Sequence, residues 1–140
     1  MPIYRTASEA ETIELGERLA KEIGHGVVLL IGNLGAGKTT LAKGIAEGFQ
    51  AASAQDVTSP TFTLVHEYHS PRATLYHIDL YRVDTERELE TLGLDDLLAP
   101  DSILLIEWGE KFPRFVRDRD VEIVLDRVGE TERRIRLASP

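Results

Sequence analysis

The 140-residue sequence contains no cysteine. That absence excludes a disulfide framework and a thiolate metal site. Long apolar runs are missing too. The longest, at 27–31 and 103–106, are far too short to span a bilayer. The opening Met1-Pro2-Ile3-Tyr4-Arg5 leads into a charged amphipathic stretch, not into the basic-then-apolar pattern of an export signal. A cytoplasmic protein with no membrane contact is the expectation. Positive charge is in short supply, with 16 Lys and Arg against 24 Asp and Glu, a formal net charge of −8. Proteins that wrap nucleic acid are usually basic, because phosphate contacts dominate that affinity. DNA binding is therefore not expected, nor an unaided grip on RNA. No internal repeat, low-complexity tract or linker interrupts the chain, so one domain over 1–140 is the economical reading.

What is present is a regular α/β alternation. Ser8 can cap a helix and Glu11, three residues on, can complete a capping box. Ile13, Leu19, Ala20 and Ile23 follow at helical spacing, and Gly24 is a natural stop. Residues 27–31 are apolar and rich in β-branched side chains, as in a buried strand of a parallel sheet. A second helix begins near Lys38 and buries Leu41, Ala42, Ile45 and Phe49. Pro60 disfavours helix at Ser59, so the stretch 57–60 reads as loop. Runs at 62–68 and 74–80 predict a hairpin. The mixed stretch 85–98 predicts a short helix ending near Gly93 and a further turn. Residues 102–106 form another buried strand, and 121–126 with 133–137 a C-terminal hairpin with one wet face. The fold class is α/β: a P-loop NTPase-like sandwich with a mixed central β-sheet and a C-terminal β-hairpin.

Gly32-Asn33-Leu34-Gly35-Ala36-Gly37-Lys38-Thr39 fits the pattern G-x-x-x-x-G-K-[ST] without a mismatch. Glycines let the backbone curl until successive N–H groups share one concavity. The following helix offers its positive end to the same point. Lys38 can reach the outer phosphates of a nucleotide, and the Thr39 hydroxyl can ligate Mg²⁺. A match arises by accident in roughly one chain of this length per few hundred. Its place between an apolar strand and a helix makes accident a poor explanation.

A P-loop needs a second carboxylate on the magnesium side, at the end of a neighbouring buried strand. Glu107 and Asp79 are the candidates, each ending an apolar run, although polar residues mark strand ends in any protein. Trp108, the single tryptophan, can pack under the site, face a partner, or fill the core. Ser59 and Thr61 lie in a hydroxyl-rich loop that could order around a γ-phosphate, or form an ordinary turn. His66, His69 and His77 alternate along strands with no third ligand nearby, so no metal site is expected of them.

No N/T-K-x-D guanine motif occurs, which disfavours a GTPase. No lid segment is visible, which disfavours the alternative of a small-molecule kinase. After Glu107 only a connector and the C-terminal hairpin are expected. A third alternative is a nucleotide-binding scaffold with no turnover.

Four blocks carry a family resemblance: the P-loop through Thr40; Thr58-Ser59-Pro60-Thr61-Phe62-Thr63-Leu64; Tyr76-His77-Ile78-Asp79-Leu80-Tyr81-Arg82; and Ile106-Glu107-Trp108. In order and spacing they resemble TsaE (formerly YjeE), the bacterial ATPase of tRNA threonylcarbamoyladenosine modification. The second and third blocks are far more specific than the P-loop, and the likeness runs from the first helix through Trp108. The resemblance implies a weakly hydrolysing ATPase that binds ATP or ADP with Mg²⁺. It implies work with the TsaD and TsaB proteins on tRNAs reading codons that begin with A, touching tRNA only indirectly. Lys38 would hold phosphates together with Gly32, Leu34, Gly35, Ala36, Gly37, Thr39 and Thr40. Thr39 and Glu107 would hold Mg²⁺, and Asp79 would orient water or the metal shell. Ser59 and Thr61 would form a switch-like loop, and Trp108 would support the site or the interface. Thr6 or Ser8 would approach the nucleotide. Asn33 departs from the acidic residue common in the family, at a position off the phosphates.

Overall fold

A computed structural model describes residues 2–51, 56–57 and 64–138. Seven strands form one sheet in the order β1-β7-β6-β2-β5-β4-β3. They are β1 (Ile3–Thr6), β2 (Gly26–Ile31), β3 (Val65–His69), β4 (Thr74–Asp79), β5 (Ser102–Glu107), β6 (Val121–Arg127) and β7 (Arg133–Ala138). The middle four are parallel, β2 lying between β5 and β6, and β4 beside β5. The flanks are antiparallel: β3 on β4, β7 on β6, and β1 on β7. The sheet is mixed, as expected, with the β3–β4 hairpin at one side and β1 added to the β6–β7 hairpin at the other.

Both faces are covered. Helices α1 (Glu9–Ile23) and α2 (Lys38–Gly48) pack over one, and α3 (Glu86–Thr91) and α4 (Pro113–Asp118) belong to the other. Side chains alternate along the central strands to serve both layers. Val28, Leu30, Ile103 and Leu105 join Leu15, Leu19, Leu41 and Ile45 on the first face. Val27, Leu29, Leu104 and Ile106 join Leu89, Phe112 and Phe115 on the second. This explains the unbroken apolar runs in β2 and β5: a strand buried on both faces has no polar side to show.

Helix α1 starts on its predicted cap. Ser8 Oγ accepts from the Glu11 N–H at 3.1 Å, while Glu11 Oε1 accepts from the Ala7 N–H at 2.8 Å, one residue earlier than a capping box requires. Gly24 ends the helix at φ +73°. Helices α1 and α2 pack backbone to backbone across Gly16 and Gly44. A Cβ on Gly44 would lie 2.0 Å from the Ile13 carbonyl oxygen. This pairing fixes α2 and therefore the loop that precedes it.

Two elements depart from the sequence expectation. β1 is only four residues long and pairs with β7, a partner more than a hundred residues away, so no local period announces it. The connector after Glu107 is built: a 3₁₀ turn at Gly109–Lys111 leads into α4, with Pro113 in its first turn. No helix among the described residues is long and apolar enough to cross a membrane.

Candidate functional site at the carboxyl ends of the parallel strands

In open α/β sheets ligands bind beyond the carboxyl ends of the strands. The residues singled out in the sequence converge there. β2 ends at Ile31 and runs into the glycine-rich loop, which opens α2 at Lys38. Gly35 and Gly37 have φ of +80° and +102°, conformations that glycine adopts at little cost. A Cβ on Gly35 would meet nothing within 4 Å, so the loop presents open backbone on that side. Gly32 is packed instead: a Cβ there would lie 2.7 Å from the Leu125 carbonyl oxygen. Helix α2 carries no side-chain cap, leaving its N-terminal N–H groups directed into the cleft.

Asp79 and Glu107 are register partners at the ends of β4 and β5. In-register neighbours point to the same face, so both carboxylates share one side of the sheet with the P-loop. Both are buried, as are Lys38 and His77. Glu107 Oε2 accepts from Thr39 Oγ1 at 3.1 Å and sits 2.5 Å from His77 Nε2. Asp79 Oδ1 accepts from the Tyr81 N–H at 2.9 Å. Lys38 Nζ donates to the Gly32 carbonyl at 2.7 Å and stands 3.6 Å from the centre of the Trp108 ring. Burial lowers the Lys38 pKa from its ordinary value, opposed by the charges of Glu107, Glu110 and Asp79. Trp108 itself has φ +65°, a conformation an L residue rarely takes, and leans on Tyr81 with ring centres 5.1 Å apart.

Lys38, Thr39, Asp79, Tyr81, Glu107 and Trp108 line a cleft of about 350 Å³ with Leu34, Gly35, Gly37, Thr40 and Arg133. Gly32 and Ala36 stand behind it. Ala36 is in the core, and its N–H donates to the Asn33 carbonyl at 3.0 Å. A second cleft of about 240 Å³ adjoins the first through Gly37, Thr40 and Arg133, and is also lined by Ser8, Thr12, Glu130 and Thr131. Ser8 therefore faces the site. Thr6 does not: its hydroxyl is buried against Thr12 Oγ1 at 2.7 Å. Ser59 and Thr61 lie outside the described residues.

Among the described residues no three His, Asp or Glu side chains converge as a metal cage. His69 bonds Glu67 and His66 bonds Tyr68. The donors at the P-loop are instead one hydroxyl and one buried carboxylate. That set suits Mg²⁺, which takes one or two protein oxygens and completes its shell with phosphates and water.

Two residues of the site escaped the sequence reading. Arg133, at the start of β7, donates to the Gly35 carbonyl at 3.2 Å across 98 residues of sequence, and to the carbonyl of Glu132 at 3.0 Å. Lys111 Nζ donates to the carbonyls of Leu80, Tyr81 and Val83 at 3.1, 3.1 and 2.7 Å. It thereby ties the loop after Asp79 to the turn after Trp108. Only tertiary pairing brings either cation into place, and neither sits in a recognisable motif.

Known proteins resemble this chain. Residues 6–135 match the family model of the threonylcarbamoyl adenosine biosynthesis protein TsaE. The tRNA threonylcarbamoyladenosine biosynthesis protein TsaE of Bacillus subtilis is 39% identical over 133 residues, covering 94% of this chain and 82% of that protein. The protein of the same name from Aquifex aeolicus is 38% identical, covering 93% and 90%. That of Streptomyces coelicolor is 44% identical over 129 residues, covering 88% and 84%. The crystal structure of Bacillus subtilis YdiB superposes with a TM-score of 0.74 at 31% identity, over 99% of this chain and 84% of that one. A P-loop at the carboxyl end of β2, two strand-end carboxylates beside it, and this extent of likeness lead to one assignment: the chain belongs to the TsaE family of tRNA threonylcarbamoyladenosine biosynthesis proteins.

Proposed function

We propose that this protein is a Mg²⁺-dependent ATPase, slow by itself, which acts as a single domain in the cytoplasm. In this reading it joins a complex with the TsaD and TsaB proteins and supports threonylcarbamoyl transfer to adenosine of tRNAs reading A-starting codons. The carrying observation is the 3.1 Å contact between Thr39 Oγ1 and Glu107 Oε2 at the mouth of the P-loop. It joins the loop hydroxyl to a strand-end carboxylate, the pair a P-loop NTPase uses around magnesium.

Lys38 would exchange the Gly32 carbonyl for phosphate oxygens, a stronger charge-assisted partner. The N–H groups of the loop and of the start of α2 would hold the remaining phosphate charge. Thr39 and Glu107 would hold Mg²⁺, which when bound neutralises phosphate charge. Asp79 would orient water or the metal shell, held by the Tyr81 N–H. Trp108 and Tyr81 would wall the cleft, and Ser59 and Thr61 would supply a switch-like loop. The nucleoside would extend toward the second cleft past Ser8. The acidic net charge agrees with indirect rather than direct contact with tRNA, and with no role at DNA or a membrane.

Two measurements test the reading. The protein with ATP and Mg²⁺ should co-elute with purified TsaD–TsaB and separate from it without nucleotide; no association under either condition removes the partner claim. Glu107→Gln should keep ATP binding and lose hydrolysis. Absence of hydrolysis in the parent protein, alone and with TsaD–TsaB, would make it a scaffold.

A further inference from the structure

His77 lies in the middle of β4, fully enclosed, between Tyr76 and Ile78. Its Nε2 is 2.5 Å from Glu107 Oε2, and its Nδ1 is buried with no hydrogen-bond partner among the described residues. An ionised carboxylate can only accept, so the proton of a neutral imidazole resides on Nε2 and Nδ1 is a bare acceptor. Burying an unpaired acceptor opposes folding. An apolar side chain at this position would avoid that cost. Among the described residues its one hydrogen-bond partner is Glu107, so the imidazole is best explained by what it does there.

The same oxygen, Oε2, also accepts from Thr39 Oγ1. Two donors arriving on one oxygen, from β4 and from the start of α2, restrict the Glu107 side chain to one rotamer. Groups that hydrogen-bond a metal-ligating side chain commonly fix its orientation, and their loss weakens metal binding.

We propose that His77 is the positioning residue for Glu107: its Nε2–H pins the carboxylate beside Thr39 and so pre-organises the magnesium side of the site. This rests on the reading of Thr39 and Glu107 as the magnesium holders. It takes the histidine of the Tyr76–Asp79 block out of the strand core and makes it part of the site's support.

A substitution series tests it. The amide nitrogen of Gln reaches as far along the side chain as imidazole Nε2, whereas that of Asn reaches only as far as Nδ1. His77→Gln therefore keeps the donor in place and His77→Asn withdraws it. The readouts are Mn²⁺ affinity of the ADP-bound protein by electron paramagnetic resonance, and ADP affinity in EDTA. His77→Asn is expected to weaken Mn²⁺ binding about 10- to 100-fold while metal-free ADP affinity stays within about twofold. His77→Gln is expected to restore most of the Mn²⁺ affinity. Equal losses of Mn²⁺ and metal-free ADP affinity in His77→Asn would show a merely structural histidine and overturn the proposal.

Glu107→Ala separates the two layers of argument. If it lowers Mn²⁺ affinity and His77→Asn does not, positioning is wrong while the site reading stands. If Glu107→Ala leaves Mn²⁺ affinity intact, the site reading fails and the proposal with it. A measurement on the parent protein needs no variant to fold. Nitrogen-15 spectra should show the His77 imidazole as the Nε2–H tautomer, with a proton shift that moves when Mg²⁺ is added to the ADP complex. An Nδ1–H tautomer, or a resonance unmoved by Mg²⁺, overturns the proposal.

Discussion

Lys38 and Glu107 are each held in the free protein by contacts that a ligand has to replace or join. Lys38 bonds its own loop and lies against Trp108, so a phosphate has to outbid a carbonyl and a cation–π contact. Glu110 shows the cost of such crowding. It follows Trp108 and Gly109, and burial raises its pKa above the ordinary 4.5, with Lys38 pulling in the opposite direction. One of its carboxylate oxygens is buried without a hydrogen-bond partner among the described residues. A raised folded-state pKa means that Glu110 favours folding most when protonated. Its contribution is intact below about pH 4.5 and is lost as pH climbs through the raised value. Glu110→Gln carries no such penalty. Its stability relative to the parent should therefore rise between pH 4 and pH 7 in urea denaturation. A difference that stays flat across that range would show that Glu110 ionises without cost.

At the scale of elements, two contacts decide whether the site keeps its shape. The first is the close approach of α1 and α2 at Gly44. No small shift accommodates a Cβ 2.0 Å from the Ile13 carbonyl oxygen. Gly44→Ala should destabilise the protein by about 3 kcal/mol, the upper end for overpacking, and weaken nucleotide binding because α2 carries Lys38 and Thr39. The same change at Gly129, where the nearest atom is a movable Glu132 side chain at 3.4 Å, should cost far less. Chemical denaturation of both variants checks this. The second contact is the Lys111 clamp. Lys111→Met keeps the aliphatic stem and removes three carbonyl contacts, which should cost about 1.5–3 kcal/mol. It should also loosen the Asp79 loop, read as weaker Mg-ATP binding than the stability loss alone produces. Parent-like stability and binding in Lys111→Met would refute the clamp.

How far the sequence revealed these elements follows from the range of the forces involved. The P-loop, the α1 cap and the Gly24 stop were legible because each is local, set by residues within one turn. Glu107 and Asp79 were legible because an apolar run buried on both faces ends abruptly where it meets the cleft. Arg133 and Lys111 were not, since only sheet order and loop packing bring them to the site. Nothing in the sequence around His77 indicates that its partner is the carboxylate thirty residues on.

For the molecule as a whole, the mixed sheet collects chemistry at one edge of its parallel core. β2 delivers the loop, β4 and β5 deliver the two carboxylates, and β7 delivers Arg133. Membership of the TsaE family says what process this architecture serves. The proposed ligand of the cleft is ATP with magnesium, held through Lys38, Thr39 and Glu107. The protein carries its own reporter, since Trp108 is the single tryptophan and its ring centre lies 3.6 Å from Lys38 Nζ. Displacing that ammonium toward phosphate should change the indole emission. The decisive measurement is a titration of the protein with ATP, followed by tryptophan fluorescence, with and without Mg²⁺. The expected result is a saturable change that tightens with Mg²⁺, is lost in Lys38→Ala, and becomes insensitive to Mg²⁺ in Glu107→Ala. An unchanged emission up to millimolar ATP, or the same response in Lys38→Ala, would contradict it.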